Sequence, residues 1–105
     1  MYKIIKQQVR ASTEVGFYTP ATSTTLSEND KRRFYEKYVL TGKQINVANE
    51  VSEDGLTQTT TAVWVSEEAA NEFISDPEMA TFIQDWTNYQ AAHSVTGNLV
   101  SKTTI

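Results

Sequence analysis

The apolar positions of this chain change period several times, and each change marks an element. Tyr2 to Val9 mixes β-formers with polar residues and predicts a first strand, with Ile5 and Val9 on one face. Phe34, Tyr35, Tyr38 and Val39 then recur at helical spacing, predicting a helix over about 28–41. Ser27 stands where an N-cap is needed, Glu28 and Asp30 suit the positive end of the helix dipole, and Gly42 suits its exit. Gln44 to Val51 returns to alternation, with Ile45, Val47 and Val51 on one side. The turn signal Ser52-Glu53-Asp54-Gly55 leads into a second arm, Leu56 to Val65, so the pair reads as an antiparallel hairpin.

A second helical region begins at Ser66, with Glu67 and Glu68 in its first turn. It breaks at Asp76-Pro77-Glu78, where Asp caps and Pro takes the first helical position. Met79, Phe82, Ile83, Trp86, Tyr89 and His93 follow on one stripe. Gly97 punctuates, and Leu99 to Ile105 closes the chain as a strand. The predicted order is β-α-β-β-α-β, the split βαβ of ferredoxin-like α+β domains, with a four-stranded antiparallel sheet and helices on one face. The stretch Ala11–Leu26, with Gly16, Pro20 and the run TPATSTTLS, is long for a connection; such loops serve as lids, binding loops or oligomer arms.

Two helices cover only one face of such a sheet. On the second hairpin arm one face carries Leu56, Gln58, Thr60, Ala62 and Trp64, and the other Thr57, Thr59, Thr61, Val63 and Val65. Neither is charged like a fully wet surface and neither is a dry core. Such a surface predicts self-association or a shallow cavity.

The segment VWVSEEAANEF followed by DPEMATF resembles the second half of the dimeric α+β barrel proteins, over about Gln44 to Tyr89. That resemblance implies ferredoxin-like units whose open sheet faces meet. The family spans cofactor-free monooxygenases, haem-degrading enzymes, isomerases and members without known activity, so fold alone does not choose a function. In its oxygenase members a Trp like Trp64 is accompanied by an Asn four residues earlier; here that residue is Thr60.

Composition narrows the rest. The 105 residues suit one domain spanning the chain, and 39% hydrophobic with 10% aromatic content suits a packed interior. No apolar run approaches a membrane span, the N-terminus carries no apolar leader core, and a cytoplasmic location is the default expectation. The absence of Cys excludes disulfides and thiolate metal sites. The net charge of −4 divides into +4 over residues 1–43 and −8 over residues 44–105, so copies of opposite-charged halves could attract. The acidic total disfavours nucleic-acid binding.

Candidate chemistry is sparse. Trp64 and Thr60 are candidates to line a pocket for a small apolar, aromatic-like ligand, although a core anchor is the more common role for such a Trp. His93, the only His, and Tyr18, in the long loop, are the weak candidates for proton handling. Tyr35 and Tyr38 fit the helix core stripe better. Lys31-Arg32-Arg33 reads as a solvated helix face, and the acidic residues read as caps and turns. No metal or cofactor motif is present. The expectation is a homo-oligomeric binding or structural module, with a cofactor-independent monooxygenase or isomerase as the alternative. A small phage or viral accessory protein is a third reading, resting on the Thr-rich, Cys-free composition.

Overall fold

A computed structural model describes all 105 residues. Its strands are β1 (Tyr2–Val9), β2 (Gln44–Val51), β3 (Thr57–Trp64) and β4 (Thr96–Thr104), all antiparallel, in the order β2-β3-β1-β4. The helices are α1 (Glu28–Phe34), α2 (Glu67–Ser75) and α3 (Ala80–Ala92). This is the ferredoxin-like α+β arrangement. The molecule measures 36 × 32 × 19 Å, and the thin dimension holds one sheet and one helix layer only.

Local chemistry sets the helix boundaries. The Ser27 hydroxyl accepts from the Asp30 N–H at 3.1 Å and the Ser66 hydroxyl accepts from the Ala69 N–H at 3.1 Å, each satisfying an orphan donor. At the break, Asp76 Oδ1 accepts from the Glu78 N–H at 2.9 Å, and Pro77–Met79 forms a 3₁₀ turn before α3. The first helical region departs from a uniform α-helix. After Phe34 it widens into a π-helical turn, Tyr35–Val39, in which the Leu40 N–H reaches the Tyr35 carbonyl at 2.9 Å. Gly42 follows at φ +78°, where a side chain would be strained.

Two boundaries differ from the sequence pattern. β4 begins at Thr96, three residues before Leu99, because Gly97 pairs with Gln8 inside the ladder. A Cβ at Gly97 would lie 2.6 Å from the Gln90 side chain, so this glycine permits close passage of the strand under α3 rather than marking a turn. In β1 the buried face is the even one, Tyr2, Ile4 and Gln8; Ile5 and Val9 lie on the open face.

The core lies between the even face and the helices. Tyr2, Ile4, Trp64, Tyr38, Ala69, Ala70, Met79, Phe82 and Leu26 form one buried cluster. It is held largely by aromatic packing: Phe73 stacks on Trp64 with ring centroids 5.4 Å apart, and Phe34 on Phe82 at 4.7 Å. The fully buried Tyr38 donates its hydroxyl to Asp76 Oδ2 at 2.6 Å, and Lys37 Nζ pairs with the same oxygen at 2.6 Å. Register places Lys3, Ile5, Gln7 and Val9 beside Val63, Thr61, Thr59 and Thr57 on the opposite face, which no element covers. No helix is long and apolar enough to cross a membrane.

Candidate functional site

Between the sheet and the helices the packing is incomplete, leaving a cavity of about 490 Å³. Its floor is the even face of the sheet. Its walls come from α1 and the π turn (Phe34, Tyr35, Val39), α2 (Ala70, Phe73) and α3 (Phe82, Trp86), and its roof from Tyr18, Thr19 and Pro20 of the long loop. The volume is within the range of small-molecule sites, and the lining is mainly apolar and aromatic with a few polar groups.

The roof is fastened by side chains that imitate a strand pairing. Gln8, buried on β1, accepts from the Tyr18 N–H at 2.9 Å and donates to the Tyr18 carbonyl at 2.9 Å; it also donates to Gln58 Oε1 at 3.2 Å. Arg10 donates to the carbonyls of Gly55 at 2.7 Å and Val15 at 2.6 Å, with its guanidinium 4.1 Å from the Phe17 ring centre. Tyr89 of α3 donates its hydroxyl to the Gly16 carbonyl at 2.6 Å. The loop Ala11–Leu26 is therefore a fixed cover over the cavity.

Tyr18 is buried and stacks in tilted fashion on Trp86, centroids 5.0 Å apart. Its hydroxyl donates to Asp85 Oδ2 at 2.5 Å, and Ser23 donates to that oxygen at 2.7 Å, while Thr25 donates to Oδ1. Burial and the adjacent Asp85 carboxylate push the Tyr18 phenol well above its ordinary pKa, so it stays protonated and committed to Asp85. Burial would raise Asp85, but the hydrogen bonds from Thr25, Tyr18 and Ser23 prevail and hold it below the usual carboxylate range.

The cavity floor carries a polar row across three strands. Asn49 of β2 pairs with Thr60 of β3, and Thr60 with Lys6 of β1. Thr60 donates its hydroxyl to Asn49 Oδ1 at 2.6 Å. An amide thus enters the cavity from β2, beside the residue that lacks one. Lys6 Nζ lies 5.7 Å from the Trp86 ring centre, and desolvation together with the charge of Lys102 lowers its pKa. The neighbouring rows are apolar on one side (Val47, Ala62, Ile4) and amide-bearing on the other (Val51, Gln58, Gln8).

Of the four residues singled out from sequence, the structure brings Trp64, Thr60 and Tyr18 together around this cavity. Trp64 is at once core and cavity wall: buried and stacked on Phe73, it also lines the open volume. His93 lies apart, exposed beyond α3 and packed on Tyr89 at 4.2 Å. Lys31 reaches the cavity rim, where it donates to the Ser23 carbonyl at 3.1 Å and pairs with Glu28 at 3.4 Å. Lys6, Asn49 and Asp85 carry no motif. The available signal was parity: Lys6 falls on the same face of β1 as the buried Tyr2, Ile4 and Gln8, although it is itself exposed at the cavity mouth. No three His, Cys, Asp or Glu side chains gather as metal ligands.

No family model matches the chain, and no curated protein matches it in sequence. Solved structures do resemble it. A Deinococcus radiodurans protein assigned as an antibiotic biosynthesis monooxygenase superposes with TM-score 0.57 at 9% identity, over 100% of this chain and 92% of that one. A variant of SnoaB, a cofactor-independent oxygenase from Streptomyces nogalater, superposes with TM-score 0.54 at 14% identity, over 95% and 90% of the two chains. These are proteins of the dimeric α+β barrel superfamily, and the chain has their fold.

Proposed function

We propose that this chain is a self-associating binding module that takes a flat, largely apolar ligand into the cavity between its sheet and helices. The observation carrying this reading is the cavity itself: about 490 Å³, lined by the rings of Trp64, Trp86, Phe73 and Tyr18, with one polar row available for orientation. A largely apolar concavity of that size, open to solvent and roofed by a loop that side chains fasten in place, has the form of a small-molecule site. Self-association is supported by the uncovered Thr- and Val-rich sheet face, and by a fold shared with a superfamily of dimeric barrels.

The test uses the two Trp residues, Trp64 and Trp86, which both line the cavity and are the only ones in the chain. Titration with naphthalene-2-methanol, a neutral flat probe, is expected to quench their fluorescence saturably at one probe per chain. Linear quenching without saturation would overturn the reading.

A second reading, cofactor-independent oxygenation or isomerisation, is favoured by the Tyr18–Asp85 pair at the cavity roof, where a phenol that lines the cavity meets a carboxylate at 2.5 Å. The two superposing structures are an assigned monooxygenase and an oxygenase. Against it, Asp85 is occupied by three hydroxyl donors and the His93 imidazole lies elsewhere. Oxygen uptake with a dihydroxynaphthalene, without added metal or reductant and lost in Asp85→Asn, would favour this reading over binding alone.

A further inference from the structure

The helix layer covers the sheet unevenly. Across the row Val47–Ala62–Ile4, Ile4 on β1 is 6% exposed while Val47 on the edge strand β2 is 45% exposed. Across the row Val51–Gln58–Gln8, Gln8 is 3% exposed and Val51 is 53% exposed. The row between them runs from Lys6, exposed through its long side chain, to Asn49, exposed on β2. The helices therefore stop short of β2, and the cavity, which Val47 and Asn49 line, reaches solvent along that edge.

The facing lip is the π turn, which the chain leaves through Gly42 to enter β2. Tyr35 and Val39 line the cavity, and Tyr35 is 52% exposed. Tyr38 of the same turn is buried and bonded to Asp76 at 2.6 Å, so the turn is anchored from within. Tyr35 has no such anchor. Among the aromatic rings lining the cavity, Tyr18, Phe34, Trp64, Phe73, Phe82 and Trp86 each pack against another ring, whereas Tyr35 packs against none. Hydroxyl hydrogen bonds hold Tyr18, Tyr38 and Tyr89, and burial holds Tyr2; neither holds Tyr35. Its own carbonyl is the one that accepts the wide-turn bond from the Leu40 N–H, and such turns recur at functional sites. The roof is the contrary case, with Tyr18 buried and tied to Gln8 and Asp85.

We infer that ligands enter the cavity between the π turn and β2, not through the loop cover, and that the Tyr35 ring is the constriction that sets how broad a ligand passes. The inference rests on the binding reading above and adds the route and the residue that controls it. A side chain at a mouth is crossed on the way in and on the way out, so it acts on both rates more than on the affinity.

The experiment is stopped-flow quenching of Trp64 and Trp86 by two neutral probes, naphthalene-2-methanol and the broader anthracene-9-methanol. Tyr35→Ala is expected to raise association and dissociation of the broader probe together, by about tenfold, with the affinity changing less than either rate. The narrower probe should gain less. Val47→Phe narrows the opening from the other lip and should slow both rates of the broader probe. Tyr89→Phe, which releases the cover at Gly16, should leave the association rate as it is. Faster dissociation alone in Tyr35→Ala would make Tyr35 a wall of the site and overturn the inference. Faster association in Tyr89→Phe with none in Tyr35→Ala would also overturn it, placing the route through the cover. Saturable binding with rates unchanged in both Tyr35→Ala and Val47→Phe would sink the inference and leave the binding module intact. If neither probe saturates, both fail.

Discussion

Trp64 and Asp76 show how one residue can hold two positions at once. Trp64 closes the core through Phe73 and Tyr38 and still lines the cavity, so anchor and wall describe the same side chain. Asp76, legible in sequence as a cap before Pro77, also accepts the hydroxyl of fully buried Tyr38 and the Lys37 ammonium. The Lys37 ammonium and the Tyr38 hydroxyl bring its pKa from 3.8 down to about 2. A folded-state pKa below the unfolded value stabilises the fold above pH 3.8, and that contribution disappears as pH falls from 3.8 toward about 2. Urea midpoints measured at intervals from pH 6 to pH 2 are therefore expected to be level near neutrality and to drop across that acidic window. Asp76→Asn should start lower and drop less steeply. A variant whose midpoint falls in parallel with the wild-type chain would remove Asp76 from the acid response.

At the scale of elements, the loop Ala11–Leu26 is the piece whose role the sequence left open. Its only regular turn is Pro20–Thr22, yet Gln8, Arg10, Tyr89 and Asp85 tie it down along its length. Gln8 matters most because it is buried and satisfies both backbone groups of Tyr18. Gln8→Ala leaves those groups unpaired, at a cost of about 1–3 kcal/mol. Limited proteolysis of Gln8→Ala is expected to cut within residues 11–26 much faster than in the wild-type chain, before the sheet is attacked. Cleavage first in the hairpin turn 52–55 would show that the cover does not depend on Gln8. The π turn belongs to the same scale. Sequence predicted one continuous helix over 28–41, because side-chain periodicity is nearly the same through a single wide turn.

At the scale of the whole molecule, a two-layer slab with an uncovered sheet face predicts association through that face. The central strands present Ile5, Val9, Val63 and a set of threonines, with Lys3 opposite Val63 and Glu50 of β2 opposite Thr59 as the charges among them. Ile5→Glu would place a carboxylate in the middle of this face while leaving the buried even face of β1 untouched. Light scattering is expected to give twice the chain mass for the wild-type protein and the single mass for Ile5→Glu, with unchanged circular dichroism. The opposite charges of the two halves add a weaker, screenable attraction, so 1 M salt should loosen the wild-type assembly only if those halves meet. A wild-type chain that remains at the single mass at micromolar concentration would refute association through the sheet.

The order and type of the elements were determined by the sequence alone, because periodicity, caps and turn residues act over a few positions and need no partner. Ser27, Ser66, Asp76-Pro77, Gly42 and Asp54-Gly55 each do locally what their chemistry requires. Trp64, Thr60 and Tyr18 were legible as candidates on the same basis. The tertiary structure decided everything that depends on strands far apart in sequence lying side by side. Strand order and register set Asn49, Thr60 and Lys6 in one row, although they are separated by up to 54 positions in the chain. It also decided which face of β1 is buried, that Gly97 passes close under the Gln90 side chain, and that His93 stands outside the cavity while Asp85 holds its cover. Those facts follow from which surfaces meet, and no local pattern encodes a meeting.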